Sequence, residues 1–138
     1  MKKTVRDVMS ANPIRFDCNA SMADAARAMR QHDIGDVLVT ENGRLLGIVT
    51  DRDIVVRGIA EGKPLNAKLG DICSEKLVTV SVDAPLETAV DLMRQHVVRR
   101  LPVIENGKPI GVVSLGDLAG VKAPESALGQ ISQAAPTH

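Results

Sequence analysis

Two short stretches of this chain carry matching chemistry. Gly47-Ile48-Val49-Thr50-Asp51-Arg52-Asp53 and Gly111-Val112-Val113-Ser114-Leu115-Gly116-Asp117 each run an apolar segment into a hydroxyl and, three residues later, a carboxylate. At a helix start that spacing puts the hydroxyl at the cap and the carboxylate one turn along, on the same side. A carboxylate so placed can accept two hydrogen bonds from a vicinal diol such as a ribose. The first amides of such a helix can meet an anion. Ser/Thr-x-x-Asp is also a common capping pattern, so one copy alone carries little weight. Two copies, each after the same Gly-led apolar segment, carry more.

The elements that must position them repeat as well. A shift of 64 residues lays Asp7–Ile54 over Asp71–Leu118 without a gap, and 15 of the 48 aligned pairs are identical. Ordinary composition gives about 3 by chance. Met29-Arg30-Gln31-His32 falls on Met93-Arg94-Gln95-His96, and Glu41-Asn42-Gly43 on Glu105-Asn106-Gly107. A repeated unit that cannot close its own core stacks on its copy, so a pseudo-twofold pair with two equivalent clefts is expected.

Each repeat reads as strand, helix, strand, turn, strand, helix. Ile14–Asp17 is extended after Pro13, and Met22, Ala25, Ala26 and Met29 share one helix face. Ser21 and Asp24 have capping-box spacing. Leu86, Ala89, Val90 and Met93 repeat the face, with Pro85 tolerated in the first turn. Apolar strands follow at Val37–Val39 and Leu101–Ile104, then an Asn-Gly turn that tightens a hairpin. The returning strands, Leu45–Val49 and Ile110–Val113, contain Gly47 and Gly111. An isolated strand glycine marks close approach of a backbone or a ligand, or leaves room for a packed helix. A second helix is expected from near Asp51, carrying Ile54, Val55 and Ile59, with its counterpart from near Gly116.

Composition narrows the classes. The chain has 138 residues, 17 basic and 17 acidic side chains, and Phe16 as its only aromatic residue. No global field argues for nucleic acid or an anionic membrane, and the stacking platforms of single-strand binders are missing. No run approaches the roughly 18 apolar residues of a membrane span. Nothing at the N-terminus resembles a signal peptide, so a cytoplasmic protein is expected. Cys18 and Cys73 stand at non-equivalent positions without metal or redox spacing, which predicts reduced, partly buried thiols. His32 and His96 occupy helix ends, where the dipole favours a cation. No triad order stands out, so neither a catalytic nor a metal site is expected.

The repeats resemble cystathionine β-synthase (CBS) domains, and the pair resembles a Bateman module. The resemblance rests on Asp7-Val8-Met9 and Asp71-Ile72 at the entries, on the run from Met93 through Arg99-Arg100-Leu101-Pro102 to Ile104, and on the Gly-led Thr/Ser-x-x-Asp ends. It covers roughly residues 5–120 and is similar to small stand-alone bacterial proteins of the family. It implies an α/β fold of two pseudo-twofold-related β-α-β-β-α units packed as one module. The first domain is assigned to residues 5–61, a linker to 62–68, the second domain to 69–121 and a mobile tail to 122–138, with a helical turn around Glu125–Ile131. It also implies a homodimer, a separate protein effector, and a regulatory role through an adenosyl ligand: AMP, ADP, ATP, NAD or S-adenosylmethionine. A ligand-free interaction protein acting through its dimer surface is the competing class.

Transferred by motif, the resemblance makes the clefts unequal. In one, Ser114 and Asp117 hold the ribose, Arg99 and Arg100 face phosphates, and Ile14, Ile34, Gly35 and Asp36 frame the adenine. A guanidinium fork suits bidentate phosphate contact. In the other, Thr50 and Asp53 hold the ribose while Val78 and Val98 flank the base. There Gly35 and Asp36 stand where the arginines stand in the second repeat, and a carboxylate repels an anion. This cleft is expected to be weak, empty, or suited to a less anionic adenosyl ligand.

Overall fold

The computed structural model describes residues 3–119, so the C-terminal tail lies outside the described residues. The chain forms two compact units, and neither follows the repeat boundary. Ile14–Leu77 make one; of the described residues, 3–13 join 78–119 to make the other.

In the Ile14–Leu77 unit, helix α2 (Met22–His32) starts where its sequence caps it. Asp24 N–H donates to Ser21 Oγ at 3.1 Å and Ser21 N–H to Asp24 Oδ2 at 3.5 Å. Two further first-turn amides, those of Met22 and Ala23, donate to the carbonyls of Ala67 and Leu65 at 2.9 and 3.1 Å. The expected linker is therefore also a lid on the helix start, serving donors that have no partner within the helix. Hydrogen bonds from Ser21 and the Arg27 guanidinium hold the Asp24 carboxyl below its ordinary range. The sheet pairs β2 (Arg15–Asp17) parallel to β3 (Asp36–Glu41), and β3 antiparallel to β4 (Arg44–Thr50).

Met22, Ala25, Met29, Val37, Val39 and Val49 meet Ile54, Leu69, Ile72 and Cys73 in the core. Ala26, expected on the buried face, is exposed. At the equivalent place Val90 is buried, because its longer side chain reaches a core that the Ala26 methyl does not. Beyond β4, one turn of helix, α3 (Asp51–Asp53), passes directly into π-helical turns over Ile54–Ile59. Ile54 is buried there, whereas Val55, Val56 and Ile59 face outward.

The other unit repeats this pattern at the same 64-residue shift. Helix α4 (Leu86–His96) packs on β5 (Val80–Ser81), β6 (Arg100–Glu105) and β7 (Lys108–Ser114), and α5 (Leu115–Ala119) follows. The irregularity in the β3/β4 register between Val39 and Thr40 recurs in β6/β7 between Val103 and Ile104. Both Asn-Gly tips adopt the positive φ that the dipeptide tolerates.

Strands β4 and β7 each receive a foreign edge. The lead-in to the first repeat, α1 (Val5–Val8) and β1 (Ser10–Ala11), lies on the second-repeat sheet, where β1 pairs antiparallel with β7. The lead-in to the second repeat lies on the first-repeat sheet: Ile48 and Ser74 exchange backbone hydrogen bonds of 3.0 and 2.9 Å. A Cβ on Gly47 would stand 2.5 Å from the Ser74 carbonyl oxygen, and one on Gly111 2.7 Å from that of Ser10. Of the readings open for these glycines, close approach of another backbone is what the structure displays.

Gly47→Ala and Gly111→Ala should therefore each cost about 1–3 kcal/mol by overpacking. Gly116→Ala, which meets nothing closer than 3.7 Å, should be near neutral; urea denaturation of the three variants checks the contrast.

The two helix ends differ in kind. Asp33 and Val97 cap α2 and α4 in the same left-handed conformation, at φ 53° and 54°. Aspartate tolerates that region, whereas a β-branched valine adopts it only under strain. Val97→Asn should raise stability by about 1 kcal/mol, read as a higher thermal midpoint, while Asp33→Val should lower it.

Candidate functional site

The two Thr/Ser-x-x-Asp motifs stand where a strand becomes a helix, and both close the same reciprocal box. Thr50 N–H donates to Asp53 Oδ2 at 2.9 Å and Asp53 N–H to Thr50 Oγ1 at 3.0 Å. Ser114 N–H donates to Asp117 Oδ2 at 2.9 Å and Asp117 N–H to Ser114 Oγ at 3.1 Å. The capping and diol-binding readings of this spacing are thus compatible, since the box takes one carboxylate oxygen and fixes the direction of the other.

The second oxygens differ. Asp53 Oδ1 faces Arg57 Nη1 at 3.9 Å, whereas Asp117 Oδ1 has no partner among the described residues. The i,i+4 spacing of Asp53 and Arg57 was readable from sequence; its consequence for the motif was missed.

Around each box the backbone is the same and the charges are not. Asp36 registers with Thr50 across β3 and β4, as Arg100 registers with Ser114 across β6 and β7. Asp51 N–H donates to the Gly35 carbonyl at 2.9 Å, and Leu115 N–H to that of Arg99 at 2.8 Å. The Asp51 carboxylate lies 3.5 Å from where a Gly35 Cβ would be. Thus Arg99, Arg100, Ser114 and Asp117 share one unit, which also holds Val78 and Val98 partly buried against its core. Ile14, Ile34, Gly35, Asp36, Thr50 and Asp53 share the other, with Ile14 and Ile34 against that unit's core. The part of Asp51 was not visible in sequence.

His32 and His96 are exposed at their helix ends. Among the described residues, no group of three or more His, Cys, Asp or Glu is arranged to hold a metal, and no helix is long and apolar enough to cross a membrane. Both cysteines are free thiols. Desolvation raises both: Cys18 further through the Asp17 and Glu41 carboxylates, Cys73 further through Glu75. The protonated form persists beyond the usual thiol range, so iodoacetamide should alkylate the folded protein slowly near neutrality. The rate should climb only at higher pH than for an unstructured thiol, as mass spectrometry over time would report.

Known proteins are similar to this chain over most of its length. The chain is 38% identical over 116 residues to the CBS domain-containing protein YhcV of Bacillus subtilis, covering 84% of this chain and 83% of that one. It is 35% identical over 133 residues to Hypoxic response protein 1 of Mycobacterium tuberculosis, covering 95% and 92%. A crystal structure of Hypoxic Response Protein I with two coordinated zinc ions superposes with a TM-score of 0.79 at 34% identity, covering 87% of this chain and 99% of that one. The family described as CBS domain matches twice, at residues 5–58 and 69–123. A tandem pair of this kind is a regulatory ligand-binding module, and with its two repeats matched the chain belongs to the CBS-domain family.

Proposed function

We propose that this protein is a cytoplasmic, non-catalytic sensor of an adenosyl compound. The observation that carries the reading is the duplicated box: at equivalent strand ends, the cap residue's backbone amide takes one carboxylate oxygen and leaves the other outside the box. In the second repeat Arg100 is beside that box in register with Ser114. Asp117 and Ser114 take the ribose, Arg99 and Arg100 the phosphates, and Ile14, Ile34, Gly35 and Asp36 the adenine. Thr50 and Asp53, with Val78 and Val98, serve a second and weaker ligand position.

AMP, ADP and ATP fit the arginine pair best, with NAD and S-adenosylmethionine as the other adenosyl candidates. The ligand regulates by its differential affinity for two arrangements of the protein, which a separate effector chain reads. The outward Val55, Val56 and Ile59 support the proposed homodimer. They also favour the second reading, a ligand-free interaction protein that docks through that face.

Titration calorimetry of nucleotide-free protein with AMP, ATP, NAD and S-adenosylmethionine separates the two. The sensor should bind one of them saturably at about one per chain, and ligand at 100 times Kd should add about 2.7 kcal/mol of stability. Asp117→Ala and Arg100→Ala should each weaken binding by about 10-fold or more, the scale of a lost charged hydrogen bond. Asp53→Ala should cost less. Equal losses in all three would refute the asymmetry, and silence from all four ligands without a thermal shift would favour the interaction protein.

A further inference from the structure

We infer that Arg57 is a positioning residue that holds the first-repeat ribose position closed, an inference that rests on the adenosyl-binding reading above. The box leaves Asp53 one oxygen for a diol, and that oxygen is the one Arg57 faces at 3.9 Å. The Asp53 side chain is only 18% exposed, against 47% for Arg57. The guanidinium is thus the more accessible member of the pair and the carboxylate the more covered one.

A ribose offers two neutral hydroxyl donors; to reach Asp53 Oδ1 they must displace a cation already attracted to it. The 64-residue shift pairs Arg57 with the uncharged Val121, and among the described residues no cation faces Asp117 Oδ1. The two boxes, alike in backbone, thus differ in readiness. One keeps its second carboxylate oxygen without a partner among the described residues, and the other shares that oxygen with an arginine of its own helical segment.

An ion pair of this exposure shifts an equilibrium by only about two- to fivefold, so the test must isolate the position. Adenosine, which has no phosphate, is titrated calorimetrically into protein carrying Asp117→Ala. Asp117→Asn, which keeps a cap acceptor, serves as the second background if the first does not fold.

Adding Arg57→Ala should tighten adenosine by about two- to fivefold, and Arg57→Lys should restore the starting affinity. Adding Asp53→Ala should abolish the gain. Raising the salt should strengthen adenosine binding while Arg57 is present, because the pair is screened, and leave Arg57→Ala unchanged. Unchanged or weaker binding in Arg57→Ala, with AMP still binding the wild-type chain, would overturn the role of Arg57 alone. Failure of both AMP and adenosine to bind the wild-type chain would overturn the adenosyl reading and this inference with it.

Discussion

The seat of one backbone on another at Gly47 and Gly111 is the constraint on which the rest depends. Each glycine lies three residues before the hydroxyl of its motif, on the same strand. With no Cβ there, the Ser74 and Ser10 carbonyls come close enough for the lead-in segments to pair with β4 and β7. The strand that delivers the motif is then held on both sides, by the hairpin partner and by the lead-in. A site built on a strand so flanked is held more precisely than one on a loop. The arrangement also explains why the compact units ignore the repeat boundary: each sheet is completed by the opening residues of the other repeat.

The capping boxes then do two things with one carboxylate. They satisfy amide donors that a helix start leaves open, and they lock the aspartate rotamer so that its remaining oxygen has a defined direction. Nothing in this geometry requires a ligand for the fold to stand. The box is complete within each motif, so the two boxes differ through the groups around them.

Those groups diverged because the contacts that hold them are made by the main chain. Gly35 and Arg99 both supply a carbonyl to the first amide of the following helix, at 2.9 and 2.8 Å. A hydrogen bond of that kind is indifferent to the side chain. Position 35 can be glycine and position 99 arginine, Asp36 can answer Arg100, and Asp51 can answer Leu115, with the backbone unchanged. Duplication preserved the frame and left the electrostatics of the two ends to differ.

Much of this was written in local pattern. The 64-residue repeat, the helices α2 and α4, the Ser21–Asp24 cap, the Asn-Gly turns and the motif strands all follow from residue period, capping chemistry and φ preference, which act over a few neighbours. The aspartate motifs were legible too, as spacing. Strand β1 was not, because two residues carry no period. The lead-in exchange was not, since it joins segments far apart in sequence, and the glycines alone did not say which backbone would approach. The π-helical turns after Asp53 and the approach of Asp51 to Gly35 depend on how the chain leaves β4. The sequence by itself thus determined the elements, their duplication and the charges at each strand end, because these are properties of short stretches. Only the tertiary structure decided which segment completes which sheet and which carboxylate oxygen is left open, because both depend on contacts that exist only once distant backbones have met.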